Sequence, residues 1–377
     1  MTRTLLGGLT PRAFLARHWQ KKALLTRNAI PAFDGFLDRD ALFQLAGRDD
    51  VESRLVVRSG RRWELLHGPF RRADFRDLPA RNWTLLVQGV NLHVAAGAAL
   101  LARFDFIPHA RLDDLMVSYA APGGGVGPHF DSYDVFLLQG FGRRRWRTSR
   151  QRDLDLIPGA PLKLLRRFEP EEASILGPGD MLYLPPRYAH DGVALEACTT
   201  YSIGFRAPAL RELASQFFMD LAERVDLEGL YADPDLRPSR SPGRIGTDLI
   251  RATGAALDQV RWGTRDVEDF LGRYLTEPKS HVFFDPPAPV RPSAFAAALA
   301  RGGIELNRKS LMLHGSRAVY LNGDAARFPR GVPVLLRALA DRRRLDPVRP
   351  EPPLLHLLHE WHSHGYLELA ASQGEPT

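Results

Sequence analysis

The chain has 377 residues, 44% of them hydrophobic, which excludes a disordered chain and suggests two or three domains. It carries 51 Lys and Arg against 44 Asp and Glu, a net charge of +7; lysine stands only at positions 21, 22, 163, 279 and 309, an arginine skew that points to coding bias, so direct nucleic-acid binding is not expected as the main function. No run of 18 or more apolar residues occurs, and Cys198 is the single cysteine, so any metal must be held by nitrogen and oxygen rather than by a thiolate cluster. The opening MTRTLLGGLTPRAF lacks the pattern of a secretory leader, and a cytoplasmic protein with no membrane association is expected.

In chain order, FLARHWQKKALLTRNAI (14–30) reads as a helix running into a strand, with Phe14, Leu15, His18 and Trp19 on one helical face. From about residue 50 the text turns to short β-rich segments: SRLVVRS, WELLHG, WTLLVQGV, DLMVSYA, YDVFLLQ, RRRWRTS, MLYLPP and TYSIGFRA. Gly, Pro, Asp and Asn separate them, as in an antiparallel sandwich or barrel. At APALRELASQFFMDLAERV the spacing predicts an amphipathic helix with Leu210, Leu213, Ala214, Phe217, Phe218, Leu221, Ala222 and Val225 on its apolar stripe. The Pro- and Arg-rich link ADPDLRPSRSPGR leads to a second helical stretch ending at LGRYLTE. Such a helical insert either packs against a copy of itself or covers its own sheet. After HVFFDPPAPVRP, the helical segments PSAFAAALA, VPVLLRALADR and PPLLHLLHEWHSH alternate with the short strands AVYLNG and GYLEL, which suits a small winged-helix-like domain.

The chemistry concentrates in GGGVGPHFDSYDVFLLQGFGRRRWR (123–147). On a strand, His129 and Asp131 at i and i+2 point the same way and can reach one ion. The third ligand is His190, read as presented by a short loop after Pro185-Pro186, with 58 residues between Asp131 and His190. Two imidazoles and one carboxylate are the ligand set of non-haem Fe(II) oxygenases, with one side of the ion left open for substrate and O2. Parity on the strand that follows puts Arg144 on the face of Trp146, and Arg143, Arg145 and Arg147 on the other. An interior guanidinium needs an anion, and its planar fork matches a carboxylate. A small dianion that chelates iron through an α-keto acid and meets Arg144 with its far carboxylate has the shape of 2-oxoglutarate, whose oxidative decarboxylation with O2 yields succinate and CO2.

At these residues the chain resembles the JmjC-type 2-oxoglutarate oxygenases, and among them the bacterial ribosomal oxygenases. DDLMVSYAAPGGGVGPHFDSYDVFLLQGFGRRRWR and PGDMLYLPPRYAHDGVALEACTTYSIGFRAP carry the likeness, which is strongest from 113 to 208. The resemblance implies a mainly β fold with added helices: a double-stranded β-helix (jelly-roll, cupin-like) catalytic domain over 1–207, a helical dimerisation region over 208–282 and a winged-helix-like domain over 283–377. It implies a homodimer, Fe(II) held by His129, Asp131 and His190, and 2-oxoglutarate held at its carboxylate by Arg144. Ala120 departs from the pattern, standing where related enzymes can have a co-substrate-binding serine; Ser118, two residues earlier on the same face, is the candidate substitute.

The implied reaction is β-carbon hydroxylation of an arginyl residue in the sixteenth protein of the bacterial large ribosomal subunit. Relatives hydroxylate histidyl residues of other ribosomal proteins, and more distant ones demethylate lysines. An acidic or aromatic pocket lining would favour arginine, with Asp134 and Tyr133 as candidates. One rival is a jelly-roll ligand sensor whose winged helix binds DNA, for which VPVLLRALADRRR would have to be a recognition helix. Another is a metal-dependent sugar isomerase, whose sites use more ligands and would not need Arg144. The C-terminal HLLHEWHSHG is not HExxH, and His356 and His359 are expected on a solvated helix face.

Overall fold

The computed structural model describes residues 2–370 and divides into two compact units, one of residues 2–208 with Pro278–Leu311 and 338–370, the other of Ala209–Glu277 with Met312–Arg337. No helix among the described residues is long and apolar enough to cross a membrane.

The N-terminal part of the first unit, up to Pro208, is built on eleven strands: β1 (Leu24–Thr26), β2 (Ser53–Ser59), β3 (Arg62–His67), β4 (Trp83–Val87), β5 (Leu112–Ala120), β6 (Asp134–Gln139), β7 (Arg144–Ser149), β8 (Glu172–Leu176), β9 (Met181–Leu184), β10 (Ala189–Ala194) and β11 (Cys198–Phe205). They form an eight-stranded sheet in the order β1-β9-β6-β11-β5-β4-β2-β3 and a three-stranded sheet in the order β10-β7-β8, with every neighbour antiparallel. The two sheets meet through Val135, Leu137, Leu182 and Leu184 of the large one and Trp146 and Leu176 of the small one. This is the double-stranded β-helix that the sequence predicts.

Alternation splits each strand of the large sheet between two cores. The outer face of Leu85, Val87, Leu115, Val117, Tyr119, Phe136, Tyr183 and Tyr201 packs under Phe14, Leu42, Leu100 and Phe104 from the flanking helices. Phe14, fully buried in the Pro11–Arg17 helix, lies 5.0 Å from the ring of Tyr183 and 5.5 Å from that of Phe136. The inner face faces the small sheet and the site.

All eight segments read as strands from sequence form strands, but two more escape that reading, β8 and β10. β10 spells AHDGVA, whose His, Asp and Gly lack the β-branched signature of a strand. It forms one because it is paired along its length with β7, from Ala189 opposite Ser149 to Ala194 opposite Arg144. Gly192 allows that pairing, since a Cβ there would lie 2.6 Å from the ring of Trp146. His190 therefore sits in a strand, not in the loop expected of it. Conversely, the His129–Asp131 stretch is not a regular strand; it touches the sheet through one bridge between His129 and His190.

In the second unit the helices Leu210–Arg224 and Thr264–Thr276 pack through Phe217, Leu221 and Phe270, and a three-stranded meander covers Met312–His314, Ala318–Leu321 and Asp324–Arg327. The Thr247–Leu257 helix buries none of its residues. The remaining C-terminal strands, Ile304–Leu306, Arg344–Leu345 and Leu367–Leu369, form a small sheet in the first unit beside the helices Pro292–Gly302 and Pro352–Ser363.

Candidate metal centre

The site starts from backbone pairing. His129 N–H donates to the His190 carbonyl at 2.9 Å, and His190 N–H returns the bond to the His129 carbonyl at 2.8 Å. The two histidines are thus direct cross-strand neighbours, with ring centroids 4.2 Å apart. Each Nδ1 lies 2.9 Å from a carbonyl two residues earlier, that of Gly127 for His129 and that of Tyr188 for His190. A carbonyl can only accept, so both Nδ1 atoms carry the proton and both Nε2 lone pairs face the site. Asp131 completes the set, its carboxylate 4.0 Å from Nε2 of His129 and 3.5 Å from Nε2 of His190. The ligand atoms of all three lie within 4.8 Å of one another, the one such group among the described residues.

The cluster is closed on one side and open on the other. His190 is 3% exposed at its side chain and packs against Trp146, whereas His129 and Asp131 are 20% and 19% exposed. The backbone N–H of Arg187 holds the Asp131 carbonyl at 2.7 Å. The Tyr133 hydroxyl stands near enough to the Asp131 carboxylate to respond to its charge. Burial first, then the negative charges of Asp131, Asp114 and Asp113, pushes the Tyr133 hydroxyl well above the ordinary tyrosine value, so it remains a donor.

The arginine strand follows parity. Arg144 and Trp146 are 5% exposed and face inward, and the guanidinium lies 5.7 Å from the Trp146 ring. Its Nε and Nη2 atoms are buried without a protein partner. A guanidinium desolvated in this way is costly unless an anion meets it. Arg143 is a surface residue paired with Glu196, and Arg145 is exposed. Arg147 lies on the outer face with Arg143 and Arg145, as parity places it, and its Nη2 lies 2.6 Å from the buried carboxylate of Asp191.

Ser118 also faces inward and is 2% exposed, with its hydroxyl directed at the Thr200 carbonyl at 3.5 Å. Asp134 does not line the site. It sits on the outer face of β6, where Tyr183 donates to it at 2.6 Å, Gln20 at 2.9 Å and Arg111 at 3.2 Å. The inward carboxylate is instead Asp114, buried and holding the Gly89 N–H at 2.9 Å, on the same face of β5 as Met116, Ser118 and Ala120. Sequence reasoning missed it although the parity that selected Ser118 selects Asp114 as well. Burial first, then the neighbouring Asp113, raises its pKa above the ordinary carboxylate value. In the C-terminal histidine cluster, His356 is exposed as expected, but His359 is half-buried, bonded to the Val290 carbonyl at 2.7 Å and packed on Phe295.

Comparison with known proteins agrees with this architecture. The JmjC domain profile matches residues 99–213, and a ROXA-like winged-helix profile matches 259–368. The chain is 37% identical over 321 residues to the ribosomal protein uL16 3-hydroxylase of Escherichia coli, spanning 84% of this chain and 85% of that protein. It is 38% identical over 244 residues to a probable ribosomal oxygenase of Haemophilus influenzae, spanning 63% of this chain and 60% of the other. The solved structure of E. coli YcfD in complex with cobalt and 2-oxoglutarate superimposes with a TM-score of 0.81 at 34% identity, covering 96% of this chain and 98% of that one. The chain is thus a JmjC-domain oxygenase. Within that class it belongs to the ribosomal oxygenase family.

Burial first, then the nearby His129, pushes the His190 imidazole down to about 4. An unfolded histidine titrates near 6.5, so between those values the unfolded chain binds more protons and the folded state loses stability as pH falls. Thermal unfolding of the metal-free protein should therefore drop in midpoint from about pH 6.5 to 4.5, and His190→Gln should flatten that slope. An identical slope in the variant would contradict the assignment of a neutral, buried His190.

Proposed function

We propose that the chain is an Fe(II)- and 2-oxoglutarate-dependent protein hydroxylase that acts in the cytoplasm on the β-carbon of an arginyl residue of ribosomal protein uL16. The observation that carries this reading is the His129, Asp131 and His190 cluster in one barrel with a buried guanidinium whose donors lack a protein partner. The residues fit the groups: two neutral imidazoles with Nε2 free and one carboxylate suit a divalent iron, and Arg144 suits a carboxylate. When bound, iron and 2-oxoglutarate supply the oxidising power, O2 being reduced as the keto acid is decarboxylated to succinate.

The chain's own residues orient and exclude. His129, Asp131 and His190 would hold the ion, with the Arg187 N–H fixing Asp131 through its backbone carbonyl. Arg144 would take the far carboxylate of 2-oxoglutarate in a bidentate pair, while Trp146 and Leu176 keep water from that end of the barrel. For the substrate, Asp114 offers a desolvated carboxylate and Tyr133 and the half-exposed Met116 offer apolar walls, a lining suited to a guanidinium on an aliphatic stem. That lining favours arginine over histidine, and the name of the E. coli relative specifies 3-hydroxylation of uL16.

Incubation of ribosomal proteins with the enzyme, Fe(II), 2-oxoglutarate and O2, followed by mass spectrometry, should show one added oxygen on an arginine of uL16. Oxygen on a histidine only, or no oxidation, would overturn the substrate reading. Arg144→Ala should weaken 2-oxoglutarate binding by about 30-fold or more, as removing one partner of a buried charge pair does. Arg143→Ala and Arg145→Ala should change it less than about twofold, as for exposed charges. Equal effects of the three would refute the parity assignment.

The domain limits proposed are 1–207 catalytic, 208–282 dimerising and 283–377 winged-helix-like. The dimer is supported by apolar side chains left uncovered in the middle region, including Leu210 at 84%, Leu230 at 97% and Ile250 at 58% exposure, an excess that a solitary chain rarely presents. Leu249→Asp with Ile250→Asp should convert a dimer to a monomer in sedimentation velocity. A monomeric unaltered protein, or a dimer unaffected by the pair, would contradict the pairing role.

A further inference from the structure

On the inward face of the barrel, at the level of Arg144, the side chains shrink. Ala120 and Cys198 are cross-strand partners, Ala194 pairs with Arg144, and the three pack together as a small buried cluster. Among the polar atoms buried here without a protein partner are Nε and Nη2 of Arg144, Nε1 of Trp146 and the hydroxyl of Thr84. Thr84 is 1% exposed and stands directly opposite Ala120 in the β4–β5 register. It points inward, because its neighbours Trp83 and Leu85 belong to the outer core. A Cβ on Gly124 would lie 3.0 Å from the Thr84 hydroxyl, and the Gly124 carbonyl accepts the N–H of Ala194 at 2.9 Å, the residue across from Arg144. The hydroxyl and the guanidinium thus flank the same small-residue cluster from opposite sheets.

We propose that Thr84 is a co-substrate-binding residue of this enzyme, its hydroxyl donating to the far carboxylate of 2-oxoglutarate that Arg144 pairs with. A carboxylate has about four lone-pair sites, so a bidentate guanidinium leaves acceptors for a hydroxyl. Leaving a buried hydroxyl unpaired is costly, and a charge-assisted bond removes that cost. Thr84 takes this part in place of Ser118, whose hydroxyl is directed at the Thr200 carbonyl and which lies two residues further along β5. Ala120, opposite Thr84, carries no hydroxyl, so in this chain the donor comes from the neighbouring strand.

The inference rests on the co-substrate reading above, and calorimetry of the Mn(II)-loaded protein under nitrogen separates the two. The ligands are 2-oxoglutarate and 2-oxopentanoate, which lacks the far carboxylate. Thr84→Val should weaken 2-oxoglutarate by about tenfold, the scale of one hydrogen bond to a charged group, and leave 2-oxopentanoate unchanged. Thr84→Ser should bind like the unaltered protein, and Ala120→Ser added to Thr84→Val should recover most of the loss by returning a hydroxyl to the facing position. Ser118→Ala should stay within about twofold of the unaltered protein, since it removes only a long bond to Thr200. Normal 2-oxoglutarate affinity in Thr84→Val, or equal weakening of both ligands, would overturn the Thr84 assignment alone. Absence of 2-oxoglutarate binding by the unaltered metal-loaded protein would overturn the co-substrate reading with it.

Discussion

Everything at this site depends on the reciprocal pair of backbone hydrogen bonds between His129 and His190. That pair joins the glycine-rich segment after β5 to β10, and β10 to β7 is the pairing that sets Arg144 at a fixed number of residues from the histidines. One register therefore determines where the metal ligands sit and where the co-substrate's far end must lie. A slip by one residue would turn His190 to the outer face and bring Asp191, now paired with Arg147, inward. The Nδ1 bonds to Gly127 and Tyr188 extend the same logic to the side chains, since backbone carbonyls choose the tautomer before any ion arrives.

The barrel carries two buried layers with opposite characters. The outer layer is largely aromatic and apolar around Phe14, Phe104, Phe136 and Tyr183, and its buried carboxylate, Asp134, is satisfied by three donors. The inner layer keeps groups that the protein itself leaves unpaired, among them Arg144 and Thr84. Stability is concentrated in the first layer and function in the second.

Much of this was legible in the sequence. Strict alternation in RRRWR sorted Arg144 from its neighbours, because a strand has only two faces and a tryptophan marks the buried one. The H-x-D pair and His190 were legible through ligand chemistry. β10 was not, because AHDGVA has no strand propensity and becomes a strand only by pairing with β7. Asp134 was misplaced because nearness to a metal motif says nothing about which face a side chain takes, and Asp114 was overlooked although it shares a face with Ser118. The pair of Arg147 with Asp191 was not legible, because the two lie 44 residues apart and no local pattern announces such a pair.

X-ray absorption and anomalous diffraction from the anaerobic Fe(II)-loaded protein test the central claim most directly. One ion should be bound by Nε2 of His129, Nε2 of His190 and the Asp131 carboxylate, with its remaining positions open to exchangeable small ligands. Coordination through Nδ1, a ligand set without Asp131, or iron bound elsewhere in the chain would contradict the account.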